Sequence, residues 1–268
     1  MTARIGAIAV HPPDNPPDVS VLLPVFHTET FIPELARRIT RTIEGSGRSC
    51  ELLFVDDASP DGAEKMLAGM AARDPRISAI VLERNAGQHR AVYTALRFAR
   101  GGAVVVMDAD LQDAPEHIPI LLEKLDSGFG VAFAGRRGRY ESLSRLVLSK
   151  GFKWILHLVS GSPPDAGMFF ACTDDAVRRL LRMRTSEPQL VAMLGQIGLP
   201  TAAVPLQRFT RPGGVSGYTT SMRFETAKKA IACSLRIRFA SFISSSADER
   251  QAAGIKRLIG SRFRSDRF

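Results

Sequence analysis

The sequence predicts an α/β fold, a mostly parallel central sheet with helices on both faces. Two observations carry this. From Val19 to Gly135, short apolar β-rich runs alternate with helix-period segments, the signature of a βαβ series. The chain of 268 residues, 45% of them hydrophobic, is also long enough to bury one large core. The elements follow in order. Four prolines in H-P-P-D-N-P-P-D preclude helix or sheet, so residues 1 to 18 are expected as a disordered lead. The first strand is V-S-V-L-L-P-V, and a helix follows near Ile32 to Glu44. After E-L-L-F-V, Ser59 and Pro60 are placed as N-cap and first helical residue of a helix over Asp61 to Ala72. I-S-A-I-V-L precedes a helix over Gln88 to Arg100. A-V-V-V-M precedes one over Ala114 to Asp126, with Asp113 as N-cap and Glu116 closing a capping box. V-A-F-A-G ends the regular series. Beyond Arg136 come an amphipathic segment from Leu143 to Val159 with the single Trp, a strand in D-A-G-M-F-F-A-C, and a helix over Thr185 to Ile197.

Composition narrows the function classes. The three cysteines, Cys50, Cys172 and Cys233, form no C-x-x-C pair, which points away from a disulfide framework or a zinc site and towards a reducing compartment. No apolar run reaches the ~18 to 20 residues that span a bilayer, and the N-terminus is too short in apolar residues for a secretory signal. The expectation is a cytoplasmic protein, soluble or peripheral at the membrane face. The net charge of +9 is concentrated in the tail: from Met222 to Phe268 there are 11 Lys or Arg against 4 Asp or Glu. Within it, A-A-G-I-K-R-L-I-G-S-R-F-R-S-D-R-F is a short amphipathic basic pattern suited to a membrane surface, or equally a solubilising end. It lacks the interleaved aromatics of a nucleic-acid platform, and no nucleic-acid partner is expected.

The chemistry is concentrated in acids at strand ends. E-L-L-F-V runs into Asp56 and Asp57, and V-V-V-M runs into Asp108, Asp110, Asp113 and Glu116. Capping accounts for Asp113 and Glu116. Asp108 and Asp110, alternate residues on one face, have no such job, and together they make an oxygen-rich site suited to Mg²⁺ or Mn²⁺.

V-S-V-L-L-P-V-F, V-D-D-A-S-P-D-G, E-R-N-A-G-Q-H-R-A and V-V-V-M-D-A-D-L-Q-D-A-P-E stand in the order and spacing of the family 2 glycosyltransferases of GT-A fold. Within that family they resemble the polyprenyl-phosphate glycosyltransferases, including the dolichol-phosphate mannose synthase type, over roughly Val19 to Tyr218. The resemblance implies a nucleotide-sugar half at residues 19–135, an acceptor half at 136–221, and the tail at 222–268. It implies that Pro24 and Phe26 line the nucleotide base, that Asp57 contacts it, and that Asp56 supports the loop. Arg84, Asn85 and Gly87 match the family's R-N-x-G turn. Asp108 lies near ribose and diphosphate and, with Asp110, holds the metal; Gln112 lies by the sugar. Glu29 stands one place beyond the family's usual Glu, as a further contact, and His27 is a spacer.

For the acceptor half, Arg136 and Arg139 in G-R-R-G-R-Y resemble the family's paired arginines, and Asp165 matches an aspartate near the reacting centre. In R-F-T-R-P-G-G-V-S-G-Y, Arg211, Ser216 and Tyr218 match a phosphate-holding segment, while Gly217 stands where a Lys is usual. The implied partners are a nucleotide sugar, UDP-linked, a lipid phosphate acceptor and the membrane surface, with a separate membrane protein or a second copy of the chain. A polysaccharide or other hydroxyl acceptor is the alternative. A decayed, non-catalytic member also fits the motif departures. A haloacid-dehalogenase-like phosphatase is disfavoured by Gln112, where that motif has Thr or Val, and a dinucleotide oxidoreductase by the missing G-x-G-x-x-G.

Overall fold

The computed structural model describes residues 15–137, 154–183, 185, 187–209, 220–239 and 254–260. The chain runs through β1 (Val19–Val25), a 3₁₀ turn at Glu29–Phe31, α1 (Ile32–Gly45), β2 (Cys50–Asp56), α2 (Ala63–Ala71), β3 (Ile77–Leu82), α3 (Gln88–Ala95) and β4 (Ala103–Val106). A second 3₁₀ turn at Pro115–His117 leads to α4 (Ile118–Asp126) and β5 (Val131–Arg137). A helical segment at residues 154–160 precedes β6 (Phe170–Thr173), α5 (Asp174–Arg182), α6 (Leu190–Leu194), β7 (Thr201–Gln207), α7 (Thr220–Phe239) and β8 (Ile255–Ile259).

The expected α/β architecture is present as one eight-stranded sheet, in the order β7-β5-β6-β4-β1-β2-β3-β8. β1 pairs in parallel with β2 and β4, and β2 with β3. β1 explains why its sequence is apolar at nearly every position: Val21, Leu23 and Val25 enter one core and Leu22 the other. The first core is closed by α1, α2 and α4 through Leu35, Ile39, Leu67 and Leu121. The second is closed by α3, α5 and α6 through Val92, Leu180 and Met193. Gly101 admits the close approach of the chain before β4 to β1, since a Cβ there would meet the Ser20 backbone N at 2.4 Å.

Several boundaries differ from the sequence reading. α3 ends at Ala95 rather than Arg100, because Arg97 and Phe98 donate to the carbonyls three residues back and tighten the chain out of the helix. α2 starts at Ala63: the Asp61 carboxylate accepts from the Ala63 N–H, and Ser59 is not the cap. The Thr185 to Ile197 helix contracts to the five residues of α6. The tail supplies a further correction. Ile255–Ile259 is not a surface amphipathic segment but an edge strand, antiparallel to β3, with an irregularity in register between Val81 and Leu82. Ile259 enters one core, Ile255 and Leu258 pack on the other, and Lys256 and Arg257 pair with Glu64. The run of mixed apolar and basic residues that suggested a membrane face suits a sheet edge equally well.

Candidate active site

Topology gathers the predicted residues before any side chain is considered. β1 to β4 point the same way, and β6 is antiparallel to both β4 and β5, so β5 and its parallel neighbour β7 point that way too. The loops after all six strands therefore lie at one edge of the sheet, together with the segment that leads into β6 and carries Asp165. Strand order reverses between β1 and β4, where a parallel sheet opens a crevice for ligands. Phe26 leaves the sheet on one side of that crevice and Asp108 on the other.

The acids after β2 are tied down. Asp56 is 1% exposed and accepts from the Ser59 N–H at 2.8 Å. Asp57, 4% exposed, accepts from the N–H groups of Ala86 and Gly87 at 2.7 and 2.9 Å. Asp57 thus holds the R-N-A-G turn against β2, and Gly87 takes a φ of 84° to present its N–H there. Burial raises both carboxyls above their ordinary value despite these hydrogen bonds. Arg84 and Asn85, in the same turn, are exposed at the edge.

Glu29 joins the β1 loop to the β2 loop. Its N–H donates to Asp61 Oδ2 at 3.2 Å, and its Oε2 accepts from the Gly62 N–H at 3.0 Å, at the start of α2. Ser59, expected as a cap, instead links these loops. Its Oγ accepts from the His27 N–H at 2.9 Å and donates to Asp61 Oδ1 at 2.7 Å. Burial raises Asp61, but the hydrogen bonds from Ser59, Glu29 and Ala63 outweigh it and hold the carboxyl below its usual range. His27 adopts a φ of 53° and stacks edge-on against Phe26, which is 44% exposed directly after the end of β1.

The four acids after β4 separate differently from the sequence expectation. The 3₁₀ turn at Pro115–His117 has Ala114 at its N-cap and no side-chain cap. Glu116 pairs with Arg38 of α1 at 2.6 Å, and Asp113, 6% exposed, faces Arg208. The capping box is therefore absent because each acid has found a cation from elsewhere in the fold. Asp108 accepts from the Gln88 side chain and from Arg208 Nη2, the latter at 3.3 Å. Asp110 Oδ1 accepts from the Gln112 N–H at 3.1 Å, in a turn where Leu111 has a φ of 58°. The Gln112 carbonyl accepts from the Phe209 N–H at 2.8 Å, so the chain after β7 is fastened to this loop.

These residues fit a hard divalent cation in one respect. Their donors are carboxylate oxygens, partly exposed on a crevice, the set that Mg²⁺ or Mn²⁺ uses when water and phosphate complete its shell. Among the described residues no cluster of three or more His, Cys, Asp or Glu could hold an ion alone.

Asp165 is exposed in the turn before β6. Arg136 lies near the end of β5, at the shared edge. Arg139, Arg211, Ser216 and Tyr218 lie outside the described residues. Two polar residues in contact with Asp108 escaped the sequence reading: Gln88, first residue of α3, and Arg208, directly after β7. Their signal was position: Gln88 stands within E-R-N-A-G-Q-H-R-A at the start of α3, and Arg208 opens R-F-T-R-P-G-G-V-S-G-Y at the end of β7.

Residues 20–179 match the family model described as glycosyl transferase family 2. The chain belongs to that family. This family 2 chain is 32% identical over 207 residues to undecaprenyl-phosphate 4-deoxy-4-formamido-L-arabinose transferase from Salmonella paratyphi B, a match covering 75% of this chain and 62% of the relative. Among solved structures it resembles glucosyl-3-phosphoglycerate synthase from Mycobacterium tuberculosis in complex with Mn²⁺, UDP and phosphoglyceric acid. The TM-score is 0.59 at 21% identity, covering 86% of this chain and 80% of that one. Mannosyl-3-phosphoglycerate synthase from Rubrobacter xylanophilus gives 0.57 at 18% identity, covering 87% and 78%. These likenesses establish the GT-A fold for this family 2 chain.

Proposed function

We propose that the protein is an inverting glycosyltransferase that moves a sugar from a nucleotide diphosphate donor, UDP-linked, to a polyprenyl phosphate. The observation that carries the reading is the placement of Asp108 and Asp110 across the β1–β4 crevice from Phe26, on a family 2 domain 32% identical to an undecaprenyl-phosphate sugar transferase. Pro24, Phe26 and Asp57 receive the base, with Asp56 and Glu29 fixing the loops around it. Arg84, Asn85 and Gly87 border the nucleotide, and Gln112 borders the sugar. Asp108 and Asp110 hold Mg²⁺ or Mn²⁺, which when bound offsets negative charge gathering on the departing diphosphate.

The acceptor chemistry follows from ionisation. A phosphomonoester, with a second pKa of about 6, is already largely anionic at neutral pH and needs no strong base. Asp165 then orients the acceptor, and Arg136, Arg139, Arg211, Ser216 and Tyr218 neutralise and position its phosphate. Contact with the membrane surface that carries such a lipid is supported by the helical segment at residues 154–160, where Trp154 is 61% exposed and Ile155 and Leu158 are also exposed. Among the described residues no helix is long and apolar enough to cross a membrane.

The test is transfer from a panel of UDP- and GDP-sugars to undecaprenyl phosphate in detergent, beside soluble hydroxyl acceptors. Asp110→Asn is expected to lower transfer by on the order of 10² to 10³. Near-normal turnover by that variant would sink the metal reading. Transfer only to hydroxyl acceptors would replace the lipid phosphate with the alternative that Gly217, in place of the usual Lys, keeps open.

A further inference from the structure

Arg208 reaches the acid loop from a distant part of the chain. Its guanidinium lies 3.3 Å from Asp108 Oδ2 and 3.6 Å from Asp113 Oδ1, and its side chain is 19% exposed. Both separations exceed the roughly 2.7 to 2.9 Å of a well-formed charge-assisted hydrogen bond, so the cation spans two carboxylates without closing tightly on either. The neighbouring Phe209 N–H is fastened to the Gln112 carbonyl at 2.8 Å, which keeps the guanidinium within reach of the loop. The guanidinium thus brings a positive charge to the acid loop.

We propose that Arg208 is the resting cation of the acid site and makes metal binding depend on the nucleotide. The inference rests on the donor-site reading above and adds a positioning residue to it. A divalent ion approaching Asp108 alone meets a fixed positive charge on the same carboxylate. A nucleotide diphosphate gives the guanidinium a better partner, phosphate oxygens held bidentately, and releases Asp108 to the ion. Ion and nucleotide then favour one another, and by linkage the coupling is the same measured from either side.

Free Mn²⁺, followed by its electron paramagnetic resonance signal with and without UDP, tests this on the full chain. In the wild type, UDP is expected to tighten Mn²⁺ binding at least about tenfold. Arg208→Gln is expected to bind Mn²⁺ alone about tenfold more tightly and to keep less than about a twofold response to UDP. Arg208→Met, which retains the apolar stem, serves if the glutamine variant does not fold, and Arg208→Lys, which retains the charge without the bidentate fork, should bind Mn²⁺ alone as weakly as the wild type and respond less to UDP. A purely structural arginine would weaken the site when lost, never tighten it. Folded Gln or Met variants that bind nucleotide-free Mn²⁺ no better than wild type overturn the proposal and leave the metal reading intact. Mn²⁺ that binds neither protein, even with saturating UDP, overturns both.

Discussion

Replacing Glu51 with Gln tests whether the end of the sheet away from the site carries stability rather than function. Glu51 lies near the start of β2, and Arg100 lies just before β4, both at the amino edge. Glu51 Oε2 accepts from Arg100 Nε and Nη2 at 2.9 and 2.6 Å, while Oε1 accepts from Ser20 Oγ and the Arg100 N–H at 2.6 and 2.9 Å. Both side chains of the pair are only 8% exposed. Glu51→Gln keeps most of the shape but removes the negative charge, and it leaves the guanidinium buried with no counter-ion from this position. Breaking one side of a buried pair costs about 3 to 5 kcal/mol, whereas an exposed pair is worth at most about 1 kcal/mol. At roughly 2 to 4 °C per kcal/mol for a domain of this size, Tm should fall by on the order of 10 °C. Urea denaturation gives the free energy, and donor KM at a temperature where the variant is folded gives the function. A loss below about 1 kcal/mol would show that the pair is solvated like a surface pair. An altered KM in a fully folded variant would refute the separation of the two edges.

Three further outcomes follow. His89 accepts from the Leu190 N–H at 3.3 Å and thereby joins α3 to α6, and burial pushes its imidazole down from 6.5 to about 4. The stability it contributes is complete above 6.5 and is lost as pH falls through about 4, by roughly 3 kcal/mol. His89→Gln should flatten that part of the stability profile, and an unchanged acid slope would exclude His89 as its source. A Cβ on Gly62 would meet Glu29 Oε1 at 2.4 Å, so Gly62→Ala should push Glu29 off the Gly62 N–H. The expected net loss is about 1 kcal/mol, a charged hydrogen bond partly offset by the reduced freedom of the unfolded chain. Glu29→Ala should remove the same interaction, so additive losses in the double variant would argue against a shared contact. Asp56 and Asp57 have carboxyls raised by burial, so the stability they contribute is complete below 3.8 and is lost as pH rises through their raised values. Asp57→Asn should remove its share of that dependence, and a slope unchanged in acid denaturation would contradict the assignment.

Much of the fold was legible because it is built from local patterns. β1, β3 and the strand at E-L-L-F-V are continuous apolar runs between turn residues, and α1 carries its core residues on one face. The capping assignments at Ser59 and Asp113 failed for a common reason. A short polar side chain ahead of a helix has both a local N–H and a tertiary partner within reach, and here His27, Asp61 and Arg208 took the side chains. β8 was missed because an edge strand of mixed apolar and basic residues has the composition of an amphipathic surface segment, and only its pairing with β3 distinguishes the two.

The sequence by itself determined where the chemistry must gather. Acids placed directly after strands of a βα series fall on one edge, because successive parallel strands carry their loops to the same side. Tertiary structure decided what each acid is for. Strand order brings Arg208 to Asp108 and Asp113 across about 100 residues of chain, Arg38 to Glu116, and the Ala86–Gly87 turn to Asp57. The physical reason is that a carboxylate's partner is chosen by proximity in space, which spacing along the chain specifies only within a turn or two of helix.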